Sequence, residues 1–169
     1  TVPAFDDVFA GLSALRGAVD ALQSSATASK TYVPFAVATT KPTARAMEEV
    51  RAAGLDAFFT VIQGTDDGMA PKPAPDVILS ACRRLDEDVG REAAGQAAGV
   101  NPRFAIYVGD TRRDVDASRA AGNAAAVSVL YAAHGAKTAS VLQVAKDDWG
   151  ATAAVSSISE LPALLPMLV

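Results

Sequence analysis

Apolar and polar positions along this chain follow two periods, and the chain switches between them repeatedly. From Phe5 to Leu22 the apolar residues Val8, Phe9, Leu12, Leu15, Val19 and Leu22 fall at helical spacing, which predicts a helix with one apolar stripe. Tyr32 to Ala38 is a short apolar run rich in strand formers, ending at Thr39-Thr40. Thr43 to Ala53 returns to helical spacing, with Met47 and Val50 inward and Gly54 placed to end it. Phe58 to Ile62 reads as a strand. Pro75 to Leu85 reads as a helix, with Pro75 near its first turn and Val77, Ile78, Ala81, Cys82 and Leu85 on one face. A strand over Phe104 to Val108 stops at Gly109-Asp110, and a helix over Asp114 to Ala121 ends at Gly122. Then follow a strand (Ala125 to Leu130), a helix (Ala136 to Ala145), a short strand (Ala153 to Val155) and a last helix (Ile158 to Leu165). Two stretches lack a period. Gln23 to Thr31, rich in Ser, Ala and Thr, reads as a loop, and Asp86 to Pro102 reads as connection, helical in part.

Strands that alternate with helices at this spacing predict right-handed βαβ units and a mostly parallel sheet. The expected fold class is therefore α/β, a Rossmann-like three-layer sandwich forming one domain over residues 1–169. In such sheets ligands bind outside the carboxyl ends of the strands. The residues just after each strand are the ones to read for chemistry.

Composition narrows the choice. A net charge of −4 argues against a nucleic-acid backbone as the main partner. It leaves phosphate open, because a small site can be locally positive inside an acidic protein. One cysteine, Cys82, excludes an internal disulfide and a cysteine-rich zinc site, and fits a cytoplasmic or other reducing compartment. The lone His134 makes a histidine-based metal site or a Ser-His-Asp triad unsuitable. No apolar run is long enough to span a membrane, and the start, Thr-Val-Pro-Ala-Phe, has no signal-peptide pattern.

Three strand ends carry candidate chemistry. After the first strand, a hydroxyl in Thr39-Thr40-Lys41-Pro42 either donates to an anionic oxygen beside backbone N–H groups or caps the next helix. After the second, Lys72 stands between Pro71 and Pro73 just before a helix. It either places a point charge on a phosphate or is solvated in a proline-rich loop. After the third, Asp110 and Asp114 converge in Gly-Asp-Thr-Arg-Arg-Asp, forming either a hard-oxygen site suited to Mg²⁺ or a turn residue and a helix cap.

Taken in order, these signals resemble the haloacid-dehalogenase superfamily, and its phosphoglycolate-phosphatase-like branch in particular. "FAVATTKP" is similar to that family's second motif, "KPAPD" to its lysine motif and "YVGDTRRDVDASRAAG" to its acidic fourth motif. The tail "WGATAAVSSISELPALL" resembles the branch's closing strand and helix. The resemblance implies that Thr39 binds the transferring phosphoryl group, with Thr40 in a weaker polar role. It implies that Lys72 neutralises the phosphate, that Asp110 ligates Mg²⁺, and that Asp114 supports the metal or its waters. Lys41 is expected at the surface or just behind the site. The implied activity is a Mg²⁺-dependent phosphomonoester hydrolase on a small phosphorylated metabolite.

The family's first motif, a strand ending in Asp-x-Asp, has no counterpart before Thr39. Phe5-Asp6-Asp7-Val8 has the wrong spacing, and Pro3 argues against a buried strand there. The resemblance implies that the missing strand sits centrally, so two strands are expected to face each other across unpaired backbone groups. The expectation is an HAD-like core that lacks its first strand and cap domain and is inactive as it stands. A missing N-terminal segment or a partner chain would complete the sheet, unless the sheet is rearranged. The alternative is a non-catalytic interaction subunit of a larger assembly. Cys82 and Trp149 read as packing residues, Arg112 and Arg113 as solvated or as the site's rim, and His134 as a loop residue or a contact to substrate or partner.

Overall fold

The computed structural model describes residues 8–25, 33–66, 68–90, 101–123, 125–129 and 138–168. Helix α1 runs Val8–Ser25, strand β1 Ala36–Ala38, α2 Thr43–Ala52, β2 Val61–Gln63 and α3 Asp76–Gly90. They are followed by β3 Ile106–Gly109, α4 Arg112–Ala121, β4 Ala125–Val129, α5 Thr138–Asp147, β5 Ala153–Val155 and α6 Leu161–Leu168. The alternation is the one the sequence predicts, and the fold is α/β with parallel strands.

The differences lie at element ends and have local causes. The run Tyr32 to Ala38 pairs only over Ala36–Ala38, and Pro34 has no N–H to give to a ladder. The strand expected at Phe58 begins at Val61, because Phe58 N and Phe59 N donate to Leu55 O and Asp56 O in a 3-10 turn. The strand expected at Phe104 begins at Ile106, after a 3-10 turn over Pro102–Phe104 whose Arg103 N–H is capped by the Asn101 side chain at 3.0 Å. The helix expected from Pro75 continues five residues past Leu85 to Gly90. The last helical segment opens with a 3-10 turn, Ile158–Glu160, before α6. The segments carrying Asp6 and His134 lie outside the described residues.

Three layers form. On one face α3, α4 and α5 cover Ala38, Tyr107 and Ala154, with Val77, Ile78, Cys82, Ala117, Val115 and Ala145 buried beneath. On the other face α1 and α6 cover Ile106, Ala153 and Val155 through Leu15, Leu161 and Leu164. α1 also reaches the segments that lead into the first two strands. The Arg16 guanidinium lies 3.6 Å from the Phe35 ring centroid, and Phe9 meets Phe58 edge-on at 5.2 Å.

The parallel strands divide into two sheets. β1 pairs with β2, with Ala36 opposite Val61 and Ala38 opposite Gln63. β3, β4 and β5 form the second sheet in that order. Among the described residues, β1 and β3 are unpaired on the edges that face each other, and β2 and β5 are unpaired on their far edges. All of β1 is only half-buried and Val108 on β3 is 37% exposed, whereas Val61 on β2 is 1% exposed. Helices α3 and α4 join the two sheets through one apolar cluster that includes both Ala38 and Tyr107.

Candidate functional site

The loop after β1 is held by the loop after β2. Thr39 N donates to Gln63 O at 3.0 Å, continuing the β1–β2 ladder, and Thr39 O accepts from Thr65 Oγ1 at 3.2 Å. Thr65 N donates to Lys41 O at 2.9 Å. The Thr43 hydroxyl accepts from Gly64 N at 2.9 Å and donates to Asp66 Oδ2 at 2.7 Å, while Thr43 N donates to Asp66 Oδ1 at 3.0 Å. Helix α2 has Pro42 at its N-cap, which offers no side-chain acceptor, so Asp66 satisfies an N-terminal amide from another loop. These bonds hold the Asp66 carboxyl below the usual aspartate range, the Thr43 hydroxyl first and its amide second. A Cβ on Gly64 would overlap the Lys41 carbonyl and the Thr43 amide, so only glycine lets the loops approach this closely.

Neither Thr39 nor Thr40 caps α2. The Thr39 hydroxyl accepts a long contact from Lys41 N at 3.4 Å, and Thr40 is exposed on the turn. Lys41 turns outward to pair with Glu49 on α2.

A second cluster forms where the end of β1 faces β3. Lys72, just before α3, sends its Nζ to Asp114 Oδ1 at 2.6 Å, and both side chains are nearly buried, 12% and 7% exposed. The same Nζ donates to Tyr107 Oη at 2.9 Å and to Ala38 O at 3.4 Å. Asp114 Oδ1 also accepts from Tyr107 Oη at 3.1 Å. Asp114 Oδ2 accepts from Thr111 N at 3.0 Å and from Thr111 Oγ1 at 2.6 Å. Burial pushes the Asp114 carboxyl up, but the hydrogen bonds from Lys72 and Thr111 and the charge of Lys72 outweigh it, and the group stays below the usual range. Burial first, then the charge of Asp114, raises the Tyr107 phenol.

The structure thus joins Lys72 to Asp114 across 42 residues of sequence. It places Thr39 directly after Ala38 and Asp110 at the exposed end of β3. Asp110 is close enough for its charge to act on Tyr107. Four donors fill the two oxygens of Asp114, about the number of lone-pair sites a carboxylate has. Among the described residues, no group of three or more His, Cys, Asp and Glu side chains is arranged to hold a metal by itself. Arg112 pairs with Asp116 on the outer side of α4, and Arg113 is exposed. Cys82 is buried in the core, and Trp149 packs against the cluster of Val115, Ala145 and Ala151.

Sequence reasoning missed Tyr107, Thr43, Gly64, Thr65 and Asp66. Tyr107 looked like one more apolar strand residue. The others stand in two loops whose meeting has no local signature, although a Gly-Thr-Asp run right after a strand is a clue.

Residues 10–128 match the family model for haloacid dehalogenase-like hydrolases, a span that holds Thr39, Lys72, Asp110 and Asp114. The chain belongs to this family. It is 32% identical over 162 residues to the plasmid phosphoglycolate phosphatase of Cupriavidus necator, covering 95% of this chain and 55% of that protein. It is 31% identical over 90 residues to the phosphoglycolate phosphatase of Escherichia coli K12, covering 53% of this chain and 31% of that protein. These relatives place the chain in the phosphoglycolate-phosphatase-like branch of the haloacid dehalogenase-like hydrolases. Among solved structures, a HAD family hydrolase from Deinococcus radiodurans, crystallised with phosphate and sodium, matches with a TM-score of 0.66 at 23% identity. That match covers 98% of this chain and 60% of the other. A predicted phosphoglycolate phosphatase from Haemophilus somnus matches with a TM-score of 0.63 at 19% identity, over 95% of this chain and 56% of that one. The chain therefore spans about half the length of several relatives, and less of others.

Proposed function

We propose that the protein containing this chain is a Mg²⁺-dependent phosphomonoester hydrolase acting on a small organic phosphate. The observation that supports this most is the buried Lys72–Asp114 pair set between the end of β1 and β3, with Thr39 at one strand end and Asp110 at the other. Lys72 supplies a fixed positive charge for a phosphate oxygen. Thr39 offers a hydroxyl on a loop that Gly64, Thr65 and Asp66 hold in place. Asp114 holds the Lys72 ammonium in place from the first turn of α4. Mg²⁺ commonly takes one or two carboxylates and keeps several waters, and Asp110 fits as one such ligand. Asp114, its oxygens already filled, fits as support behind the metal. When bound, the ion would offset charge on the phosphoryl oxygens.

The reaction also needs a nucleophile, and we assign it to a strand supplied from outside the described residues and seated between β1 and β3. The unpaired facing edges of those strands and the greater length of the relatives support this. A carboxylate on that strand would attack phosphorus, and a second would protonate the leaving oxygen. On this reading residues 1–169 alone are inactive. A second reading, a non-catalytic interaction subunit, draws on the same open edges, which can equally pair with a partner's strand.

The test is phosphate release from small phosphomonoesters by the natural protein, with Mg²⁺ and with chelator. Expected is release that needs Mg²⁺ and falls by roughly 10²-fold or more in Asp110→Asn and in Lys72→Ala, the scale for removing one group that stabilises developing charge. No release from any phosphomonoester, with the fold intact, would favour the interaction subunit.

A further inference from the structure

Tyr107 does two separate things. Its ring belongs to the apolar cluster of Val77, Ile78, Cys82, Ala117 and Ala38, a packing role that phenylalanine would fill as well. Its hydroxyl meets three polar atoms that come from three different elements: Lys72 Nζ at 2.9 Å, Asp114 Oδ1 at 3.1 Å and Ala38 O at 3.3 Å. An ammonium has three N–H donors. Those of Lys72 have three acceptors here, Asp114 Oδ1, Tyr107 Oη and Ala38 O. The lysine is therefore enclosed by one group each from α4, β3 and β1. Its approach to Ala38 O, at 3.4 Å, is the longest of the three, and Ala38 is followed directly by Thr39.

We propose that Tyr107 is a positioning residue for Lys72. Its hydroxyl holds the ammonium between Asp114 and the end of β1, so that an incoming phosphate oxygen takes the place of the long Ala38 contact and leaves the Asp114 pair intact. The enclosure of Lys72 stands on geometry alone, and only the exchange with phosphate rests on the phosphatase reading.

The experiment is NMR of the lysine ammonium groups in the full protein, comparing the wild type with Tyr107→Phe and Tyr107→Leu. The quantity read is the exchange rate of the Lys72 ammonium protons with water, against exposed Lys146 as internal reference. Expected is slow exchange in the wild type and an acceleration of about tenfold in Tyr107→Phe, the factor for one hydrogen bond to a charged group. Thermal stability should fall modestly in Tyr107→Phe, which loses the hydroxyl's hydrogen bonds, and further in Tyr107→Leu, which also loses the ring. A purely structural role predicts the opposite pattern, with Tyr107→Phe silent in Lys72 exchange, and that result would overturn the proposal. Adding inorganic phosphate with Mg²⁺ separates the two layers. A Lys72 shift on addition supports the exchange with Ala38. No shift, with the Tyr107→Phe effect present, would retain the enclosure and count against phosphate binding at this site.

Discussion

β1 and β2 are hydrogen-bonded neighbours of equal length, yet one is enclosed and the other is not. β2 carries Val61 and Gln63 at 1% and 3% exposure, while all three residues of β1 are half-buried. β3 repeats the pattern of β1, with Val108 open to solvent. Interior strands of a parallel sheet are normally covered on both faces and paired on both edges. The flank at β2 is thus the better covered, and the seam between β1 and β3 the more open. The polar cluster of Lys72, Tyr107 and Asp114 lies at this seam. On the proposed reading, its chemistry depends on a strand that completes the sheet.

The largest effect expected is at the seam's charge pair. Asp114→Ala strands a nearly buried lysine and should cost about 3 kcal/mol or more in chemical denaturation. A cost under about 1 kcal/mol, as for a surface pair, would mean that Lys72 is not held there. Next comes the helix that bridges the seam. Ile78→Ala removes a buried side chain from the cluster joining both sheets and should cost about 2–4 kcal/mol. Two separate unfolding transitions instead of one would show that the sheets do not act together.

Val108→Lys probes the open side of the comparison. With a strand seated in the seam of the natural protein, the introduced charge is desolvated and should cost about 2 kcal/mol. A change within about 0.5 kcal/mol is the surface result and would leave the seam uncovered. The smallest effect lies on the β2 flank. The Asp66 carboxyl is depressed in the folded protein by Thr43, so its contribution is complete above the ordinary aspartate value, about pH 4. That contribution is lost as pH falls through the lower, folded value. Asp66→Asn should flatten the acid limb of the stability profile, and an unchanged limb would remove Asp66 from the account.

Much of this was legible in the chain. Periodicity and short apolar runs located every described α-helix and strand to within a few residues, because burial on one face imposes such patterns locally. The 3-10 turns at Asp56–Phe58 and Pro102–Phe104 read instead as strand ends. The strand-end motifs exposed Lys72 and Asp114 as candidates, because lysine between prolines and paired aspartates are unusual in the positions where ligands bind. What could not be read is pairing at a distance. The contact of Thr43 with Asp66 spans 23 residues, and that of Tyr107 with Ala38 spans 69. Strand ends also shifted where a 3-10 turn consumed the N–H groups that a ladder would have used, as at Phe58. Apolarity alone does not register that competition.

The central claim is that a carboxylate-bearing strand from outside residues 1–169 completes the seam and the reaction. The most direct test is the intact mass and N-terminal sequence of the protein from its natural source, followed at once by the phosphatase assay. The account predicts a polypeptide heavier than 17.3 kDa, with an Asp-x-Asp segment upstream of these residues and Mg²⁺-dependent activity. A protein of 17.3 kDa that releases phosphate by itself would contradict it.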